Sequence, residues 1–145
     1  MEQLSAQLKK VLANTFTLYL KSHGFHWNVE GPGFPQYHEF FNDLYDELWN
    51  AVDPIAEHIR TLDVYAPASM TRYIELSEIH EEESFPYGGV EMARQLLNDN
   101  KTVLISLYAA QILANEAKEI GLANFLQDRI DIHKKHEWML RSITK

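Results

Sequence analysis

Cysteine is absent from the 145 residues of this chain, which excludes disulfide bonds, thiolate zinc sites and cysteine nucleophiles. A long hydrophobic run is also missing. The longest nearly apolar stretch, Val103 to Ala114, is interrupted by Ser106 and Gln111 and is too short to span a bilayer. Charged side chains interrupt the first ten residues, where a secretion signal would need an apolar segment. We therefore expect a cytoplasmic protein without membrane contact.

Basic residues are scarce as well, since 13 lysines and arginines stand against 21 aspartates and glutamates, for a formal net charge of −8. The only adjacent basic pairs are Lys9-Lys10 and Lys134-Lys135. A phosphate backbone attracts clustered positive charge and is repelled by an acidic surface. The composition thus disfavours nucleic-acid binding, whereas 46% apolar and 23% charged residues indicate an ordinary folded chain.

Most of the chain shows the apolar periodicity of α-helices. We expect a single domain over residues 1–145. Apolar residues recur at three- and four-residue steps, and no strand pattern or internal repeat is found. Gly121 is expected to end the third long helix, and Pro54 to kink the second near Asn50. Helices are predicted at residues 2–28, 35–62, 70–76, 90–120 and 122–143. This order predicts an all-α four-helix bundle with a short extra helix in a long middle connection.

The seven histidines do not belong to a familiar hydrolytic or phosphate-binding motif. We find no serine–histidine–aspartate pattern with a nucleophile elbow, no phosphate-cradling glycine loop and no His-Glu-x-x-His. No histidine has a glutamate or aspartate three residues before it. Di-iron sites built inside one four-helix bundle use Glu-x-x-His on two helices, so this chain cannot build such a site in its usual form.

The second long helix carries a polar stripe away from its apolar face. At about 100° per residue from position 37, the apolar side chains lie between about −20° and 60°. The stripe consists of His38, Asn42, Asp53 and Glu57, at about 100°, 140°, 160° and 200°. Trp49 lies on it at about 120°, and a large aromatic side chain there needs a partner surface.

A second copy of the chain could turn this stripe into a metal site. His38 and Asp53 are about 22 Å apart along the helix axis, too far to bind one metal within one chain. Positions 38 and 57 have the same sum, 95, as positions 42 and 53. Two antiparallel copies crossing near residues 47 and 48 would therefore place His38 opposite the partner's Glu57, and Asn42 opposite the partner's Asp53. A histidine with carboxylates suits ferrous iron or zinc.

Motifs at the first two helices and their connection carry a family resemblance. They are His23-Gly24-Phe25-His26-Trp27-Asn28-Val29, Gly31-Pro32-Gly33-Phe34, His38-Glu39 and Asp43-Leu44-Tyr45, with the later Ala66-Pro67-Ala68 and Gly121-Leu122-Ala123-Asn124-Phe125-Leu126. Together they cover nearly the whole chain. The pattern resembles the Dps family, the ferritin-like mini-ferritins named as DNA-binding proteins from starved cells, and implies a ferritin-like fold.

The resemblance implies a ferroxidase: a hollow dodecamer that oxidises ferrous iron with peroxide or dioxygen, stores ferric mineral and protects against oxidative damage. The family's metal centre is shared between two subunits. By motif match, His26 and His38 of one subunit and Asp53 and Glu57 of the other are the expected ligands. Iron, as Fe2+ and Fe3+, is the expected metal, and zinc is a substitute. This ligand set agrees with the pairing of position 38 with position 57 in two antiparallel copies of the second long helix.

The sequence departs from the family pattern in three places. Asn42 stands where the family has aspartate four residues after the second ligand histidine. Asn124 replaces the aspartate that lines the pore through which iron enters. The lysine-rich tail by which some members bind DNA is not found in this sequence. We expect the two asparagines to affect iron affinity and loading, and DNA binding to be absent.

Two rival functions stay open at this point. A DNA-condensing shell of the same fold is disfavoured by the charge, and a structural shell or four-helix interaction module that binds zinc or nothing is favoured by Asn42. His133 and His136 could form a surface metal pair, but a solvated or helix-end role is the preferred interpretation.

Overall fold

The computed structural model describes residues 1–145, which form five helices and no strand. The helices are α1 (Glu2–Asn28), α2 (Phe34–Thr61), α3 (Met70–Leu76), α4 (Gly89–Glu116) and α5 (Ile120–Ile143). Helix α1 packs against α2 and α4, α4 packs against α5, and α3 lies against α1 in the long connection between α2 and α4. The predicted four-helix bundle with one long crossover is confirmed. No helix is both long and apolar enough for a membrane span.

The core consists of the apolar faces that the helical period predicts. On α2, Phe41, Leu48 and Ile59 are fully buried, and on α1 the same holds for Leu8 and Leu12. These side chains belong to one cluster of 26 buried residues that joins all four long helices. Because one face of α2 is committed to this core, its polar stripe is left at the surface.

A short glycine-containing turn folds α2 back against α1. Gly31 and Gly33 have φ angles of 96° and 78°, in the left-handed region that glycine adopts without a side-chain clash. Gly33 is the N-cap of α2, and Pro35 follows in its first turn, where a missing N–H costs no helical hydrogen bond. The turn places His38 beside His26 across the helix pair.

The boundary between α4 and α5 differs from the prediction. Helix α4 ends at Glu116, not at Ile120, and Gly121 lies in the first turn of α5 instead of ending a helix. Lys118 adopts the left-handed conformation, with φ of 60°, at the turn. The helix ends two residues after Ala114, its last buried residue, because the exposed residues that follow gain nothing from packing. The expectation that Gly121 would terminate the helix was therefore wrong.

Pro54 lies inside α2 without ending it. Its ring removes one backbone donor on the exposed side of the helix, where water can satisfy the carbonyl left unpaired. The kink expected near Asn50 stays a prediction.

Candidate metal centre

His26, near the end of α1, and His38, one turn into α2, form a reciprocal pair. Nδ1 of His26 lies 2.7 Å from the carbonyl oxygen of His38, and Nδ1 of His38 lies 2.7 Å from the carbonyl oxygen of His26. The rings stack, with centroids 3.8 Å apart and planes 15° from parallel. Because a carbonyl oxygen only accepts, each Nδ1 must carry the proton and donate it. Both Nε2 atoms therefore keep a lone pair for a metal ion.

Asp53 and Glu57 lie one turn apart on the exposed face of α2, toward its other end. A hydrogen bond shared with Asp53, and then the charge of Asp53, raise the pKa of Glu57. Two carboxylates so close repel each other when both are ionised, and a cation between them would relieve the repulsion. Paired carboxylates of this kind suit a divalent metal.

The structure brings the four predicted ligands together as two pairs but not as one cluster. His38 and Asp53 remain separated by about 22 Å of helix. No group of three or more histidine, aspartate or glutamate side chains in the single chain could hold a metal ion. The shared site therefore stays a prediction, and one chain contains its two halves.

The rest of the stripe lies where the helical period predicted it. Asn42 is half-buried between the two pairs, and Trp49 is 52% exposed on the same side of α2. The indole of Trp49 packs on Tyr19 of α1, with ring centroids 4.9 Å apart. A large exposed aromatic side chain beside two incomplete ligand sets is typical of an interaction surface.

An aromatic cluster behind the histidine pair was not anticipated from the sequence. The Tyr19 hydroxyl lies 2.9 Å from Nδ1 of His23, one turn along α1. The His23 ring stacks on Tyr45, with centroids 3.8 Å apart and planes at 5°. Burial, and then the neighbouring His26, lower the pKa of His23, so its ring is neutral at pH 7 and can accept from the hydroxyl. The four-residue spacing of Tyr19 and His23 was the signal available in the sequence.

A second histidine–carboxylate set lies inside the bundle. Arg129 of α5 forms a two-pronged ion pair with Glu47 of α2, and Nε2 of His136 lies 2.8 Å from Oε1 of Glu47. Arg129 also donates to Nε2 of His133 over 3.0 Å, and Nδ1 of His133 then donates to Oδ1 of Asn100 on α4 over 2.7 Å. His133 is completely buried, so both its predicted surface-metal role and the preferred solvated or helix-end role were wrong.

The electrostatics of this interior set follow from the guanidinium of Arg129. Burial alone would raise the pKa of Glu47, but hydrogen bonds from His136 and Arg129 and the guanidinium charge hold it at about 2. Burial first, and then the charge of Arg129, lower the pKa of His133 well below its ordinary value. Glu47 is thus ionised and His133 neutral near pH 7. Both oxygens of Glu47 and both ring nitrogens of His133 already have partners, which leaves no open metal position.

Comparison with known proteins agrees with this architecture. A ferritin-like domain model matches residues 5–145. A DNA protection during starvation protein of Brevibacillus brevis is 34% identical over 136 residues, which cover 93% of this chain and 90% of that protein.

Solved structures give the same result. The crystal structure of a Dps protein from Bacillus brevis has a TM-score of 0.94 and 30% identity, covering 99% of this chain and 96% of that one. A Dps protein from Vibrio cholerae O1, described as a member of a broad superfamily of ferritin-like diiron-carboxylate proteins, has a TM-score of 0.94 and 28% identity over 99% of this chain and 90% of that one. Fold, motifs and relatives agree, and the chain belongs to the Dps family of ferritin-like proteins.

Proposed function

We propose that this protein is a ferroxidase that stores and detoxifies iron, with metal centres shared between two copies of the chain. His26 and His38 of one copy and Asp53 and Glu57 of the other would hold the iron. The reciprocal hydrogen bonds of the two histidines carry the proposal, because they occupy both Nδ1 atoms, fix the two rings side by side and leave both Nε2 atoms free to bind a metal. The Vibrio cholerae relative, described as ferritin-like and diiron-carboxylate, supports the iron chemistry.

The symmetry of α2 supports the sharing of the site. An antiparallel two-fold crossing near residues 47 and 48 brings position 38 of each copy to position 57 of the other, which joins the histidine pair to the carboxylate pair twice. The exposed ring of Trp49 lies beside this crossing and would be covered by it. One isologous contact thus completes two half-sites that a single chain leaves apart.

The proposed ligands suit the oxidation of iron. Two neutral imidazoles bind ferrous ion without adding charge, and two carboxylates favour the more highly charged ferric product. Four protein ligands leave positions at which peroxide or dioxygen can accept electrons. The ferric product would then collect inside an acidic shell of twelve copies, each of net charge −8.

Mixing two inactive variants tests the shared site. His38→Ala and Glu57→Ala subunits, dissociated, mixed and reassembled, form interfaces with one intact and one doubly damaged site. We expect each variant alone to be inactive and the mixture to regain part of the wild-type rate. The readout is ferric absorbance after peroxide is added to anaerobic, ferrous-loaded protein.

The matched control replaces the Glu57→Ala partner by the double variant His38→Ala/Glu57→Ala, which cannot supply an intact histidine pair. This mixture should stay inactive. If mixed oligomers are confirmed by mass and neither mixture oxidises iron, the shared site is refuted. Wild-type protein that binds zinc but never oxidises iron would instead support the structural rival.

We also propose that the protein does not bind DNA near neutral pH, although relatives carry DNA protection in their names. Twelve copies at −8 each carry −96 formal charges, which repel a phosphate backbone. In a mobility-shift measurement at about 50 mM salt the DNA should run free. Salt-sensitive retardation without added divalent metal would contradict this expectation.

A further inference from the structure

The ring of Tyr37 occupies the space in which Gly89, the first residue of α4, would otherwise carry a side chain. A Cβ built on Gly89 would overlap this ring at Cγ, Cδ1 and Cδ2. The φ angle of Gly89 is not positive, so the position needs glycine for the room that it leaves and not for its backbone conformation. Tyr37 directly precedes His38, and the start of α4 therefore meets the candidate centre through this ring.

A second tyrosine packs on a glycine in the opposite direction, from the crossover onto the turn before α2. A Cβ built on Gly31 would lie 2.6 Å from the hydroxyl oxygen of Tyr87. Two residues earlier, the Phe85 ring meets the Phe25 ring edge-on, with centroids 6.2 Å apart, and Phe25 directly precedes His26. One segment thus contacts the turn and the residue before each histidine. We call it the clasp, and it consists of Phe85, Tyr87 and Gly89.

The rings that the clasp contacts have no room to move inward. Phe25 and Tyr37 both pack on Phe41, with ring centroids 6.3 Å apart in each case, and Phe25 and Phe41 are fully buried. Because protein interiors are close-packed, a group that pushes on these rings must displace the ends of α1 and α2. The histidine pair is sensitive to such a displacement, since each Nδ1 donates to a main-chain carbonyl of the other helix over 2.7 Å.

The aromatic side chains of the clasp differ from those of the core in their exposure. Phe85 is 47% exposed and Tyr87 is 71% exposed. Stabilisation by apolar burial grows with the area removed from water, so these two side chains add little to the stability of the bundle. Their contacts with the turn and with the end of α1 act mainly on local geometry, where the two histidines lie.

We propose that the clasp is a positioning device for the His26–His38 pair. Residues 85–89 hold the ends of α1 and α2 in the arrangement in which both reciprocal hydrogen bonds form, and they act through Phe25, Tyr37 and the turn without binding the metal. The consequence for metal binding rests on the ferroxidase function proposed above. A segment remote from the histidines in sequence thus sets the affinity of the candidate centre.

Gly89→Ala tests the clasp directly, because it adds one methyl group in the space of the Tyr37 ring. The matched control is Gly121→Ala, the same substitution in the first turn of α5, where a Cβ meets nothing within 4 Å. A second background, Tyr37→Leu, removes the ring and with it the overlap. Tyr87→Leu is an exposed change that uncovers the turn, and it tests the clasp even if Gly89→Ala does not fold.

Solid-state NMR of metal-free, assembled protein with 15N-labelled histidine observes the Nδ1–H groups, each assigned from the variant that lacks it. In Gly89→Ala we expect the signals of His26 and His38 to shift or broaden. The signal of His133, which is buried elsewhere in the bundle, should not change. Gly121→Ala should leave all three signals as they are in the wild type.

Zinc calorimetry, at a temperature well below every thermal midpoint, measures the effect on affinity. Loss of the groups that support metal-binding histidines typically lowers metal affinity about 10–100-fold, so Gly89→Ala should bind zinc about tenfold more weakly than Gly121→Ala. In the Tyr37→Leu background, Gly89→Ala should cause no further loss, because the two changes act through one contact. Tyr87→Leu should weaken zinc binding severalfold and change the thermal midpoint little.

Unchanged His26 and His38 signals with unchanged zinc affinity in Gly89→Ala overturn the clasp and leave the ferroxidase proposal standing, even if the thermal midpoint falls. An equal loss of zinc affinity in the wild-type and Tyr37→Leu backgrounds also overturns it, since the effect would not pass through the ring. If His38→Ala binds zinc as tightly as the wild type, the candidate centre itself is refuted. The histidine signals of the metal-free protein then decide the positioning role on their own.

Discussion

Two faces of α2 carry carboxylates, and the charge of these carboxylates is balanced differently on each face. On the inner face, Glu47 meets His136 and the guanidinium of Arg129, so the negative charge is neutralised within the chain. On the outer face, Asp53 and Glu57 have only each other, and the pKa of Glu57 is raised by its bond to Asp53.

The two sets differ in their angular position around the axis of α2. Counted at about 100° per residue from position 37, Glu47 lies at about −80°, while Asp53 and Glu57 lie at about 160° and 200°. An arginine from α5 reaches the first position, and nothing in the chain reaches the other two. The charge of the inner set is therefore balanced within the chain, and the outer set stays exposed at the surface, where the function proposed above requires a metal and a second copy.

Removing the cation of the inner set should have the largest effect. Arg129→Met leaves Glu47 and His133 without the donor between them, and breaking a buried ion pair costs about 3–5 kcal/mol. We expect the thermal midpoint to fall strongly, whereas Arg141→Met, at an exposed ion pair, should change it little. Equal midpoints for the two variants would show that the inner set contributes nothing to stability.

Lowering the pH should protonate Glu47 and weaken its ion pair with Arg129 before the apolar core is disrupted. The folded pKa of Glu47 is about 2, below its ordinary 4.5, so its stabilisation is complete above pH 4.5 and disappears as the pH falls toward 2. At most about 3 kcal/mol is involved, reduced by the partial exposure of the side chain. Burial lowers the pKa of His133, so stability also declines below its ordinary 6.5.

Thermal midpoints measured between pH 2 and 7 check this order. Glu47→Gln should flatten the dependence below pH 4.5 and leave the decline that begins near 6.5. Glu116→Gln, at the exposed end of α4, should follow the wild type throughout. A Glu47→Gln profile parallel to the wild type would contradict the argument.

The sequence was sufficient to place the side chains of the outer set on the surface of α2, whose metal role stays a prediction, but not to find the inner set. Helical period alone placed the polar stripe on the surface of α2, because Phe41 and Leu48 commit the other face to the core. His133 was missed because its burial depends on the packing of α5 against α4, which brings Asn100 to its ring, while Arg129 lies one turn away on α5 itself. The end of α4 was missed because the helix ends where its burial ends and Lys118 adopts the left-handed conformation in the turn. The local sequence contains no signal for this turn.

Changing the turn before α2 should have a smaller effect, concentrated on the outer set. Gly33→Ala places a Cβ in the left-handed region and 2.9 Å from the Tyr37 ring, which should cost about 1–2 kcal/mol. The shift should separate His38 from His26 and weaken zinc binding in calorimetry. Gly121→Ala, in open space within α5, should be neutral or slightly stabilising. Similar midpoints and zinc affinities in both variants would show that the turn does not set the histidine pair.

Adding a carboxylate to the outer set tests whether its charge balance differs from that of the inner set. Inside the bundle, one guanidinium faces one carboxylate, whereas two ferrous ions between subunits would face only two carboxylates. We therefore expect one tighter and one weaker ferrous position per site. Asn42→Asp should tighten the weaker position by roughly 1 kcal/mol, because Coulombic gains at an effective dielectric near 20 are partly offset by desolvation.

Anaerobic calorimetry of wild type, Asn42→Asp and the exposed control Asn98→Asp measures this difference. Only Asn42→Asp should bind the second ferrous ion about fivefold more tightly and oxidise the first iron faster, since Asn98 lies on α4 away from the stripe. Equal stoichiometry and affinity in all three proteins would mean that residue 42 does not tune the site. The charge of two bound ferrous ions would then have to be balanced by groups other than Asp53, Glu57 and residue 42.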